Sequence, residues 1–205
     1  MTIRLHRGDL PDLSHYRVGA VAIDTETMGL DPHRDRLCVV QLSPGDGSAD
    51  VVQIPAGATQ AANLTKLLGD PAILKIFHFA RFDLGVLQRT FGVMPMPVYC
   101  TKIASRIART YTDKHGLKDL VRELLGVDMS KQQQSSDWGA EELTDAQASY
   151  AASDVLHLHA LKAKLDTMLI RERRADLAEA CFRFLPERVR LDSAGWAAED
   201  IFSHS

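Results

Sequence analysis

Three short β-branched runs crowd into the stretch from residue 18 to residue 54, at residues 18–24, 36–43 and 50–54. Turn formers Pro44, Gly45, Asp46 and Gly47 separate the last two. Parallel neighbours need a crossover of a dozen or more residues, and these gaps fall short of it, so the runs predict an antiparallel meander. A helix over residues 60–68, a short buried strand at 74–77 and a helix over 80–91 follow. Beyond residue 100 the period becomes helical: Leu117, Leu120, Val121, Leu124 and Leu125 share one face, with Gly126 as a stop. Thr144 and Gln147 fit a capping box, which predicts a long helix from there to about Met168. Strands first, then alternation, then helices describe an α/β fold: a mixed sheet, five strands in all, flanked by helices. At 205 residues the chain is expected to form one domain over 1–205, with a motif-bearing core at about 15–168 and a helical tail at about 169–205.

Composition narrows the function classes. Hydrophobic residues at 45% and charged residues at 25% suit a soluble globular chain and exclude collagen, coiled coil or disorder throughout. No apolar run approaches the roughly 18 residues of a membrane span, and residues 1–10 lack an apolar signal region. Cys38, Cys100 and Cys181 are odd in number and lack a C-x-x-C pair, which argues against a disulfide scaffold or zinc knuckle and for a reducing cytoplasm. Lys131 opens the one low-complexity stretch, residues 131–136, too short for a linker between domains. A net charge of -3 argues at first against a nucleic-acid partner. The charge is uneven, however. Residues 102–122 carry six basic side chains against two acidic ones, whereas residues 137–154 carry five acids and no base. Cations beside carboxylates suit a metal-dependent phosphate site, and equally suit solvated helix faces.

Asp24 and Glu26 close the first core strand two residues apart, so both point to one face. Two acids there repel each other and lose solvation unless a cation joins them, which makes them candidate ligands of a hard divalent metal. The pattern alone is weak, since D-x-E arises by chance about 0.7 times in a chain this long. Asp83 lies five residues after His78, where a strand passes into a helix; it reads as a metal ligand or as a first-turn aspartate complementing the helix dipole. Tyr150 and Asp154 stand one helical turn apart on a face continued by His157, Leu158 and Leu161. An inward aspartate without a basic partner needs another cation, or a buried hydrogen bond to the tyrosine. In combination and in this order the three motifs have a chance probability on the order of 1%.

That combination resembles the DEDDy 3′→5′ exonucleases of the RNase D superfamily. Asp24 and Glu26 match the first exonuclease motif, His78 and Asp83 the second, and Tyr150 and Asp154 the third, with supporting similarity at Gly29, Leu30, Ser136, Asp137, Trp138, Leu143 and Thr144. The resemblance spans about residues 15–168 and implies an RNase H-like fold, two Mg²⁺ or Mn²⁺ ions and stepwise release of 5′-mononucleotides. Cys100 precedes Thr101 where RNase D-type sequences usually carry an aspartate. The length leaves no room for the helical HRDC domains of RNase D. The short form, with Tyr99 through Ser105, is most similar to nano-RNase C, which implies cleavage of dinucleotides and other very short RNA by a homo-oligomer, an octamer being the state it suggests. A single-stranded DNA substrate, RNase D-like trimming of longer or structured RNA, a non-catalytic RNase H-like binding module and a two-metal phosphatase are the alternatives.

On this reading Asp24, Glu26, Asp83 and Asp154 hold two ions about 3.5–4 Å apart, as two-metal nucleases do. Tyr150 orients the attacking water; its phenol, with an ordinary pKa near 10, makes a poor base. For substrate, Met28 and Leu30 wedge between bases or pack as a hydrophobic turn. His78 contacts a phosphate or sits in the core, and Trp138 is a base platform or a packed anchor. Arg106 and Arg109 are the expected outer phosphate contacts. In the tail, Leu177, Cys181, Phe184 and Leu185 form an apolar stripe that packs on the core or meets another subunit.

Overall fold

The computed structural model describes residues 2–31, 34–130 and 132–204, so Lys131 of the low-complexity stretch and Met1 of the amino-terminal segment lie outside the described residues. The meander is present: β2 (Ala20–Thr27) pairs antiparallel with β3 (Leu37–Ser43), and β3 with β4 (Ser48–Gln53). Gly45 and Gly47 take left-handed φ of 90° and 85° in the turn between β3 and β4, which glycine adopts without steric cost. On the other side of β2 the sheet is parallel. β5 (Leu74–Phe77) joins β2, and β6 (Val98–Cys100) joins β5, with α1 (Ala62–Gly69) and α2 (Ala80–Phe91) in the connections. The carboxyl ends of β2, β5 and β6 therefore share one edge, the edge of an α/β sheet where ligands bind.

The sheet has six strands rather than five, in the order β1-β4-β3-β2-β5-β6. The extra strand, β1 (Thr2–Arg7), runs parallel to β4. Its charged residues hide it in the sequence and hold it in the structure. Arg4 and His6 each reach a carboxylate oxygen of Asp50 at 2.7 Å, and the Tyr16 hydroxyl donates to the same group. Burial pushes the Asp50 carboxyl up, but hydrogen bonds from Arg4, Tyr16 and His6 outweigh it and hold its pKa at about 2.

Helices α3 (Thr101–Ala108) and α4 (Leu117–Leu125) follow, α4 closed by Gly126 as expected. The capping box is also present: the Thr144 hydroxyl accepts from the Gln147 N–H at 3.2 Å, and the Gln147 side chain accepts from the Thr144 N–H at 2.9 Å. The expected long helix is nevertheless two, α5 (Asp145–Leu156) and α6 (Leu158–Arg171), broken at His157. Buried Val155, Leu158, Leu161 and Leu165 keep their spacing across the break, so apolar periodicity reads straight through it. α5 packs over β2, β3 and β4, bringing its inner face to the end of β2.

The tail forms α7 (Ala175–Leu191) against α2, but its buried stripe differs from the one expected. Ala178, Phe182, Leu185 and Val189 face inward, with Phe182 against Tyr99 at 4.6 Å between ring centroids. Leu177 and Phe184 are exposed. Arg81 of α2 and Arg188 of α7 both grip Asp192 at 2.6 Å, tying the end of α7 to the start of α2. Among the described residues no helix is long and apolar enough to cross a membrane.

Candidate active site

Strand alternation and the approach of α5 bring three carboxylates together at the end of β2. One ligand oxygen each from Asp24, Glu26 and Asp154 lies within 4.8 Å of the others. Burial and the charges of Asp24, Asp154 and Asp83 push Glu26 up to about 9. Burial likewise raises Asp24, and burial with the Asp24 charge raises Asp154, which the Tyr150 hydroxyl partly draws back. Among the described residues no lysine or arginine pairs with any of these acids.

Asp83 does not join that group of three. It is buried in the first turn of α2, and its Oδ1 accepts the Thr25 hydroxyl at 2.7 Å. Thr25 lies between the two acids of β2 in sequence, and its hydroxyl ties Asp83 to that strand. It remains in electrostatic reach. Burial and the Asp24 charge raise its carboxyl well above the ordinary range, and its own charge raises Glu26. Three clustered oxygen-donor acids, with Asp83 in electrostatic reach and no lysine or arginine paired to them among the described residues, fit hard divalent ions, for which carboxylate oxygen is the usual ligand.

Two contributors were not among the expected residues. Gln41, the cross-strand partner of Asp24, is fully buried and donates its Nε2 to Asp24 Oδ2 at 3.0 Å. A lone amide inside an apolar strand is the signal that marks it. Thr101 is the other: His78 Nδ1 lies 2.8 Å from the Thr101 hydroxyl, which itself donates to the Phe77 carbonyl. Burial first, and then the Lys102 charge, lower the His78 pKa to about 3. At that value the ring is neutral at pH 7.

Tyr150 stands one turn before Asp154. Burial and the charges of Asp154, Glu26 and Asp24 raise its pKa far above the ordinary value, so without a cation the phenol keeps its proton. Its ring lies 6.0 Å from Trp138. Trp138 is only 4% exposed and therefore packs behind Tyr150 instead of offering a base platform. Arg109 also differs from expectation. It is fully buried, with its guanidinium bonded to Glu123, Ser105 and the Lys114 carbonyl, because the chain after α3 folds back over it. Arg106 is exposed on α3. Met28 and Leu30, just beyond β2, are 60% and 84% exposed, so neither packs into the core.

The sheet order and the carboxylate cluster define a DEDD exonuclease with an RNase H-like fold. The 3'-5' exonuclease family model matches residues 12–170. The chain belongs to the RNase D superfamily, as a 3′→5′ exonuclease of the short nano-RNase C type. Ribonuclease D of Gluconacetobacter diazotrophicus is 38% identical over 156 residues, which cover 76% of this chain and 39% of that protein. The chain thus spans about two fifths of the length of that curated relative. Brucella melitensis NrnC with bound Mg²⁺ is 65% identical with a TM-score of 0.97, each chain covered in full. The same Brucella protein bound to pGG is 66% identical at the same TM-score, again over both whole chains.

Proposed function

We propose that this chain hydrolyses very short RNA, dinucleotides foremost, from the 3′ end, as one exonuclease domain over residues 1–205. Asp24, Glu26, Asp83 and Asp154 would hold two divalent ions, Mg²⁺ or Mn²⁺. When bound, such ions acidify water and stabilise the charge growing on the leaving 3′ oxygen. The protein's own part is positioning. Gln41 fixes Asp24, Thr25 fixes Asp83, and Tyr150 holds the attacking water in line with the scissile phosphorus. A P–O bond to water forms, the P–O3′ bond breaks and the 3′ oxygen takes up a proton. The terminal residue leaves as a 5′-mononucleotide, and the remainder keeps a 3′ hydroxyl. Met28 and Leu30 meet the bases, and Arg106 meets an outer phosphate.

The observation that carries this reading is the gathering of Asp24, Glu26 and Asp154 within 4.8 Å, with no basic partner among the described residues. The pGG bound by the Brucella relative supports a dinucleotide substrate. A homo-oligomer, an octamer by family resemblance, working in the cytoplasm completes the proposal. A 5′-labelled dinucleotide assayed beside a nitrophenyl phosphate monoester tests it. Cleavage of the first alone is expected, and cleavage of the second alone points instead to a small-ester phosphatase.

A further inference from the structure

Immediately after β5, next to His78 and four residues before Asp83, Phe79 takes a left-handed backbone with φ 73° and ψ 43°. That conformation is a steric outlier for a bulky side chain and is free of penalty for glycine. A buried ring could offset such strain by packing, but Phe79 is 44% exposed. The ring is instead exposed, and Lys102 sets its ammonium 4.4 Å from the ring centroid. Lys102 forms no ion pair with a carboxylate among the described residues.

The sheet fixes where this pair stands. β2, β5 and β6 are consecutive parallel neighbours, and their carboxyl ends lead in turn to the Glu26–Met28 segment, to Phe79 and to Lys102. Neighbouring strands lie about 4.8 Å apart, so the ring follows one strand from the carboxylates and the ammonium follows the next. That is the reach of a single nucleotide. Met28 and Leu30 cover the β2 side of the same edge, so a bound dinucleotide meets apolar surface on both sides of the acids.

We infer that Phe79 and Lys102 form a nucleobase platform: the ring stacks on one base of the bound oligonucleotide, and the ammonium meets the phosphate joined to that nucleoside. This rests on the exonuclease reading above and extends it to a base-contacting residue. Aromatic stacking tolerates any base identity, because every base has a π-face, and Lys102 adds a salt-dependent increment.

The test compares the full-length protein with Phe79→Gly, Phe79→Tyr and Lys102→Gln in Mg²⁺. The substrates are an ordinary dinucleotide and two analogues, each abasic at one position. Glycine suits this φ, so the substitution removes the ring without straining the turn, and Phe79→Asn, also tolerant of left-handed backbone, provides a second way to remove it. Stacking predicts that Phe79→Gly raises KM on the ordinary dinucleotide about tenfold with kcat nearly unchanged. On one of the abasic analogues the same variant should lose nothing relative to the parent. Phe79→Tyr should keep parental KM, and Lys102→Gln should raise KM a few-fold with a weaker salt dependence. A folded Phe79→Gly or Phe79→Asn with parental KM overturns the platform, as does an equal loss on all three substrates. If the parent cleaves the dinucleotide while these variants match it, only the platform fails. A parent that cleaves no dinucleotide removes the platform and the underlying reading together.

Discussion

The Thr25 hydroxyl donates to Asp83 across 2.7 Å, joining the strand that bears Asp24 and Glu26 to the first turn of α2. It is the one side-chain hydrogen bond that Asp83 makes among the described residues, and Thr25 itself is buried. Groups that orient metal ligands typically contribute 10–100-fold to affinity or activity. Thr25→Val, which keeps the shape and deletes the hydroxyl, is predicted to lower activity about tenfold and to raise the Mg²⁺ concentration needed for half-maximal rate. A magnesium titration of the rate checks this, and an unchanged midpoint contradicts it.

The acids at the site predict an unusual dependence of stability on pH. Burial and the neighbouring acids place Glu26 at about 9, and Asp24, Asp83 and Asp154 are raised as well. Each then holds its proton more tightly in the folded chain than in the unfolded one. The resulting stability is complete below about pH 4 and is lost as the pH rises towards 9. In EDTA the melting temperature should therefore fall between pH 5 and pH 9, and Mg²⁺ should restore it most at the alkaline end. Glu26→Gln should raise metal-free stability at pH 8 by about 1–2 kcal/mol while lowering activity at least about a hundredfold. Melting temperatures in EDTA that stay level across this range contradict the account.

Tyr150 is predicted to matter to the rate and little to the fold. Tyr150→Phe keeps the ring beside Trp138 and removes the hydroxyl. With water positioning lost, kcat should fall about ten- to a hundredfold, while the dinucleotide KM and the melting temperature stay close to the parent's. Full activity at every pH rules out the role.

Arg109 and Arg106 separate structure from binding on one short helix. Arg109→Ala strips a buried guanidinium from Glu123, Ser105 and the Lys114 carbonyl, and should cost about 3 kcal/mol of stability, read from the urea midpoint. Arg106→Ala should leave that midpoint within about 0.5 kcal/mol and act on KM. The reverse pattern contradicts both assignments.

What could be read from the sequence was local. The meander, the capping box at Thr144 and the pairing of Asp24 with Glu26 follow from spacing within one element. Partners distant in the chain were hidden. β1 is an edge strand completed by Asp50, some 46 residues away in sequence from Arg4, so its charged residues concealed it. The break at His157 leaves the apolar period intact. Arg109 reads as a surface cation until the later chain covers it. Asp83 is held by the Thr25 hydroxyl, 58 residues away in sequence, a partner that spacing within β2 does not reveal. Gln41 was visible as an amide within an apolar strand, yet its role depends on the register that sets it opposite Asp24.

The central claim is that the carboxylate cluster serves metal-dependent cleavage of the shortest RNAs. A single labelled RNA series of two to twenty nucleotides, digested with Mg²⁺ and with EDTA, tests it most directly. The account predicts a sharp rate maximum at two nucleotides in Mg²⁺, 5′-mononucleotide products and no cleavage in EDTA. A rate that climbs with length, or cleavage that survives EDTA, contradicts it.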